Sequence, residues 1–129
     1  MADHERKLRY LAVHDERFLE SVFSSTAGNL SVSELDPKTH ALVRLGALLA
    51  LDAAPASFQS DVDAALGAGA SVEEVVGTLI AVAPTIGSAR AVAQVRELAL
   101  AIGYDVDVGL EELAGRGTVE RTRSQEAGP

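Results

Sequence analysis

His40 and Arg44 are the strongest pair of candidates for a proton-transfer site in this chain. They lie four positions apart, so on a helix they share one face. On that face an imidazole could transfer a proton beside a guanidinium that holds an anion, which would suit a lactone or carboxylate substrate. The alternative is that both side chains belong to an exposed polar face, or that Arg44 pairs with an acidic group of a neighbouring subunit.

Several other kinds of site are excluded or disfavoured. The chain has no cysteine, which excludes thiol and disulfide chemistry. Its histidines, His4, His14 and His40, are far apart and form no paired-ligand motif, so we predict no metal. No glycine-rich nucleotide motif occurs, and we predict no cofactor. Ser57 and Thr85 could donate hydrogen bonds at a pocket mouth, but no serine-hydrolase motif surrounds them.

The composition is that of one ordinary globular domain. The chain has 129 residues, of which 47% are hydrophobic and only 4% aromatic, so the core must consist of Ala, Val and Leu between closely packed helices. A net charge of −8 disfavours nucleic acid as a partner, because that binding depends on Lys and Arg neutralising phosphates. The start has no apolar signal segment and no uncharged run is long enough to cross a membrane, so we expect a cytoplasmic protein.

Helix-start signals divide the first half of the chain. Apolar residues at three- and four-residue steps predict a helix over residues 5–23, with a break near Asp15, which could cap a second helix. Residues 24–34 are rich in Ser, Gly and Asn and are predicted to form a connection. Asp36 followed by Pro37 predicts the start of a helix that extends to about residue 53.

Similar signals divide the second half into further helices. Gly69 is predicted to end one helix, and Ser71 with Glu74 matches a capping box that starts the next. Pro84 is expected to end or kink that helix. The predicted helices cover residues 57–68, 72–83 and 87–102, with a short addition at 107–113. The sequence therefore predicts an all-α fold of about six helices.

Two long apolar runs predict self-association. Residues 45–51 are apolar on every side of their predicted helix, and residues 75–83 form a second such run. A helix that is apolar all round is buried all round, and one small domain seldom supplies so much cover. We therefore expect the single domain, residues 1–114, to form a homo-oligomer. The polar tail, residues 115–129, is predicted to be mobile and outside the core.

Three segments carry a resemblance to a known family: LDPKTHALVRLGALLAL at residues 35–51, ALGAGASVEEVVGTL at 65–79, and the isolated Gly87 after an apolar helix. They resemble the carboxymuconolactone decarboxylase family, which includes the alkyl hydroperoxidase D-like enzymes. The resemblance extends from residue 35 to about residue 104. It implies an alkyl hydroperoxidase D-like helical bundle that assembles as a trimer or hexamer.

The resemblance also implies where a site would lie. The redox branch of the family has a Cys-x-x-Cys pair and a His at the positions of Ala54, Ser57 and Asp61, so this chain is not a thiol peroxidase. The decarboxylase branch usually keeps that His and often has a Tyr-x-Gly-x-Pro pattern where this chain has residues 85–89. The resemblance therefore implies Asp61 as a general acid or base in the cleft. The ordinary alternative is a solvated helix residue.

Two functions follow from these observations. The first is a cofactor-free, lyase-type enzyme that decarboxylates, isomerises or hydrolyses a small lactone or keto acid by acid–base chemistry. Its site would consist of catalytic Asp61 and His40 with substrate-binding Arg44, Ser57, Phe58 and Thr85. The second is a non-catalytic oligomeric module for ligand binding or interaction that has lost the peroxidase or decarboxylase site. The replaced motif positions favour the second function.

Overall fold

The computed structural model describes residues 1–51, 55–104 and 110–116, and every regular element within them is helical. The helices are α1 (Asp3–Ala12), α2 (Glu16–Phe23), α3 (Thr26–Ser33), α4 (Pro37–Ala50), α5 (Pro55–Gly67), α6 (Val72–Ile86) and α7 (Ser88–Ala101). A short eighth helix, residues 110–116, crosses the domain boundary predicted after residue 114. The all-α class is confirmed over the described residues, with more helices than the six predicted.

Side-chain caps explain where several of these helices begin. Asp15 accepts a backbone N–H of α2 at 2.9 Å, and Asp36 accepts one of α4 at 3.1 Å. Ser71 and Glu74 form a complete capping box at the start of α6. Each cap satisfies a backbone donor that has no partner inside the helix. The predicted break near Asp15 and the predicted starts of α4 and α6 are confirmed.

Two predictions about local structure were wrong. Residues 24–34, predicted to be a connection, contain α3, which begins where the Ser25 hydroxyl accepts the N–H of Gly28 at 3.0 Å. The small polar residues that indicated a loop thus supply a helix cap. Helix α6 continues through Pro84 to Ile86, so its predicted end at about residue 83 was wrong, while the alternative of a kink at Pro84 stays a prediction. Pro84 is exposed and lies in the last turn, where the missing N–H removes one hydrogen bond near the helix end.

The hydrophobic core lies among α4, α5, α6 and α7. The largest fully buried side chains are Leu45, Leu49, Phe58, Val62 and Val75. Helix α4 is central, because it packs against α5, α6 and α7. We call these four helices the four-helix core. None of the described helices is long and apolar enough to span a bilayer.

The first three helices form a layer outside this core, which we call the N-terminal arm (α1–α3). No residue of the arm helices is buried. Within the arm, the Lys7 ammonium donates to the carbonyl of Val32 at 2.8 Å and pairs with Glu34 at 3.0 Å. The arm packs on the core mainly through α3, which contacts α4.

Candidate functional site

A groove of about 600 Å³ lies on the surface between α4 and α6. Its walls are mainly apolar and come from both helices. They include Leu42, Val43 and Ala47 of α4 and Ala81, Val82 and Ile86 of α6. Pockets that bind small molecules have this volume and this mixture of apolar walls with a few polar groups.

Gly46 lines the groove at a place where α4 packs closely against α6. A Cβ atom at this position would lie 3.3 Å from Cγ1 of Val82 and 3.6 Å from Cγ2 of Thr78. The first distance is tighter than ordinary van der Waals contact, so even an alanine here would require the Val82 side chain to shift by a few tenths of an ångström. The absence of a side chain at Gly46 therefore allows the close packing of α4 and α6 at this place.

Lys38 and Glu74 close one end of the groove. Their Nζ and Oε2 atoms are 3.0 Å apart. Both residues lie in the first turn of their helix, so α4 and α6 start side by side and run parallel. The backbone N–H of Ser71, which donates to Glu74, and then Lys38 hold the pKa of Glu74 below its ordinary value. The Glu74 carboxylate is therefore ionised at neutral pH, as the ion pair with Lys38 requires.

His40 is buried at the junction of the arm and the core, with 6% of its surface exposed. Its Nε2 lies 2.7 Å from Oδ1 of Asn29. The Asn29 amide nitrogen donates to the carbonyl of Val22 at 2.9 Å, so the amide oxygen faces the ring and Nε2 carries a proton. In the neutral ring Nδ1 is then the basic nitrogen. His40 does not line the groove.

The other predicted site residues occupy different surroundings. Thr85 lines the groove near its far end. Phe58, predicted to bind substrate, is 1% exposed and packs in the core, so it has no surface left for a ligand. Arg44 and Ser57 are exposed and Asp61 is half-buried. Within the described part of the chain, the side chains of these last three residues make no hydrogen bond or ion pair.

The comparisons with known proteins give the family. The model of the carboxymuconolactone decarboxylase family matches residues 16–100, which is well over half of the 129 residues. The chain belongs to the carboxymuconolactone decarboxylase family. No curated protein and no solved structure matches it.

This carboxymuconolactone decarboxylase family member departs from the redox branch at the implied motif. It has no cysteine, and Ala54, at the first motif position, lies outside the described residues. Within the described part of the chain, no cluster of three His, Cys, Asp or Glu residues could hold a metal ion. The family match includes both walls of the α4–α6 groove, which makes the groove the best candidate site of this family member.

Proposed function

We propose that this carboxymuconolactone decarboxylase-like protein binds a small, mainly apolar molecule in the α4–α6 groove and does not transform it. The observation that carries the proposal is the groove of about 600 Å³, with apolar walls and one polar end. The residues expected to transfer protons, His40 and Asp61, do not line it. The groove therefore offers a place to bind and no acid or base from that pair.

Apolar walls supply the free energy for such binding. Val43 projects from the α4 wall with 59% of its surface exposed, and Ala47 and Ala81 are also exposed. A ligand that removes these groups from water gains about 25 cal/mol for each Å² of apolar surface that it covers. Thr85 and the Lys38–Glu74 pair provide polar contacts that would orient the ligand.

The proposal is tested by filling the groove. Ala47 and Ala81 line the groove, one on each wall, so a double variant, Ala47→Phe with Ala81→Phe, would occupy the space of a ligand. Binding of the neutral dye Nile red is followed by its fluorescence, which is not confused by tryptophan because the chain has none. We expect the dye to bind the double variant at least about tenfold more weakly than the unaltered protein.

The matched control is a double variant with Ala64→Phe and Ala93→Phe. Both alanines are exposed, on α5 and α7, and lie outside the groove. This control should bind the dye like the unaltered protein. Equal binding by both double variants would show that the dye uses another surface, and the proposal would be rejected.

A second function, the lyase-type acid–base enzyme, is favoured by one observation. The bond from His40 to Asn29 fixes the proton on Nε2 and leaves Nδ1 as the basic nitrogen, which is a requirement for a general base. If this function is correct, the protein will exchange the α-protons of small lactones or keto acids with deuterium, as followed by NMR in D₂O. The near-isosteric Asp61→Asn variant should then lose the exchange. Absence of exchange by the unaltered protein would reject this function.

A further inference from the structure

The ion pair at the end of the groove offers both a donor and an acceptor. The Lys38 ammonium has three N–H donors, and within the described residues Glu74 is its one recorded partner, at 3.0 Å. Oε1 of Glu74 accepts the N–H of Ser71 at 3.0 Å, and each carboxylate oxygen has a further lone pair. The side chains are 40% and 39% exposed, so a ligand can reach both.

The neighbouring Thr39 adds no free hydrogen-bond donor to those of Lys38. Its hydroxyl already donates to Oδ1 of Asp36 at 2.5 Å, so its hydrogen is used inside the protein. Within the described residues, the charged side chains that line the groove are Lys38 and Glu74, whose charges sum to zero; the Asp36 carboxylate interacts with Lys38 from outside the groove. A head group that binds here meets one donor and one acceptor without a net charge.

This neutrality has a consequence for the head group of a ligand. A carboxylate would lose its hydration to reach Lys38, and the negative charge of Glu74 beside it would offset the attraction. A hydroxyl or primary amide loses less hydration, and can accept from Lys38 while it donates to Glu74. We infer that the groove prefers uncharged alcohols and primary amides to carboxylates of the same apolar chain, an inference that rests on the proposed ligand binding.

The test uses three probes that share one chain length: octanol, octanamide and octanoate. Each is used to displace Nile red from the unaltered protein at neutral pH. Octanamide and octanol should displace the dye at concentrations at least about tenfold lower than octanoate. Equal displacement by octanamide and octanoate would overturn the head-group inference while leaving the groove as a binding site.

A charge substitution makes the test specific to the ion pair. Glu74→Gln keeps the capping box, because Gln also serves at that position, but it leaves Lys38 with an uncompensated positive charge. The preference for octanamide over octanoate should then fall by about tenfold or reverse. The matched control is Glu73→Gln, which changes the net charge equally at an exposed residue outside the groove.

The outcomes separate the two proposals. If Glu73→Gln alters the preference as much as Glu74→Gln, net charge is responsible and the inference about the ion pair is wrong. If no probe displaces the dye, and the groove-filling double variant binds the dye normally, the proposed function itself fails. A reversal confined to Glu74→Gln supports both.

Discussion

Helices α4–α7 enclose Leu45 and Phe58 almost completely, whereas helices α1–α3 bury no residue and leave Phe23 79% exposed. The two regions are thus stabilised in different ways. The core depends on apolar burial, which is the largest favourable term in folding. The arm depends on helix caps and on polar contacts such as Lys7 to Val32. A region with few buried apolar contacts opens at lower free energy than the rest of a protein, so the arm should open before the core unfolds.

A partly buried chain of hydrogen bonds joins the two regions. The Asn29 side chain connects Val22 of α2 to His40 of α4, and His40 is buried. A buried ring that loses its hydrogen-bond partner pays the full cost of desolvation. His40 therefore has a clear structural role in attaching the arm, whether or not it also transfers protons.

The largest expected difference between the regions is in the cost of removing an aromatic ring. Phe58→Ala should lower the free energy of unfolding by about 3–5 kcal/mol, because it leaves a cavity in the four-helix core. Urea denaturation followed by circular dichroism measures this loss. Phe23→Ala is the matched substitution in the arm. In the monomer it should change the free energy of unfolding by less than about 0.5 kcal/mol, because Phe23 is already 79% exposed.

Equal losses of unfolding free energy for the two variants would contradict this division of the molecule into a core and an arm.

The Phe23→Ala variant also tests the homo-oligomer, which stays a prediction. If a second copy covers the exposed apolar residues of the arm, Phe23→Ala will lower the mass measured by light scattering at a given concentration. The core variant Phe58→Ala is expected to act on folding itself.

A smaller effect is expected when the link between the regions is cut. Asn29→Ala removes the partner of Nε2 of His40 and should destabilise the protein by about 1–3 kcal/mol. Asn29→Ala should accelerate hydrogen exchange more in α1–α3 than in α4–α7, because the arm loses its attachment to His40.

The control for this prediction is Gln59→Ala. The Gln59 amide also makes two hydrogen bonds, to Asp63 and to the carbonyl of Ala101, but both are exposed. Water can replace them, so the loss should be well under that of Asn29→Ala. If Gln59→Ala costs as much, or if Asn29→Ala accelerates exchange equally in both regions, the arm is not a separate unit.

Much of the fold was predictable because the signals are local. Asp15, Asp36 and Ser71 each mark a helix start through contacts within four residues. Helix α3 was missed because it lacks an apolar stripe and is stabilised by its cap and by Asn29, whose partner His40 lies eleven positions away. Contacts of that kind depend on how helices pack, which periodicity does not reveal.

The candidate site was less predictable for the same reason. Thr85 was expected to contact a ligand and lines the groove, but Phe58 was expected there too and is buried in the core. Lys38 and Glu74 are 36 positions apart and meet only because α4 and α6 run side by side. The sequence identified Glu74 as a cap but gave no sign of its second partner.

The smallest predicted effect concerns how the free energy of unfolding changes with pH. Ion pairs occur both in the arm and in the four-helix core, and ion pairs at exposed positions contribute little to stability. The pKa of Glu74 is held below 4.5, its ordinary value, by the Ser71 N–H and by Lys38. A carboxyl with a lowered pKa stabilises the fold above its unfolded pKa, and this contribution is lost as the pH falls through the folded value. Glu74→Gln should therefore be slightly less stable than the unaltered protein at neutral pH.

That difference should shrink as the pH falls through the lowered pKa of Glu74, because the carboxylate is then protonated in the folded protein as well. Urea denaturation at a series of pH values measures it, with Glu73→Gln as the control for the loss of one exposed negative charge in the same turn. If the effect of Glu74→Gln is as large at the acid end as at neutral pH, the stabilisation comes from packing or capping alone. The ion pair would then be free to open for a ligand at almost no cost to the fold.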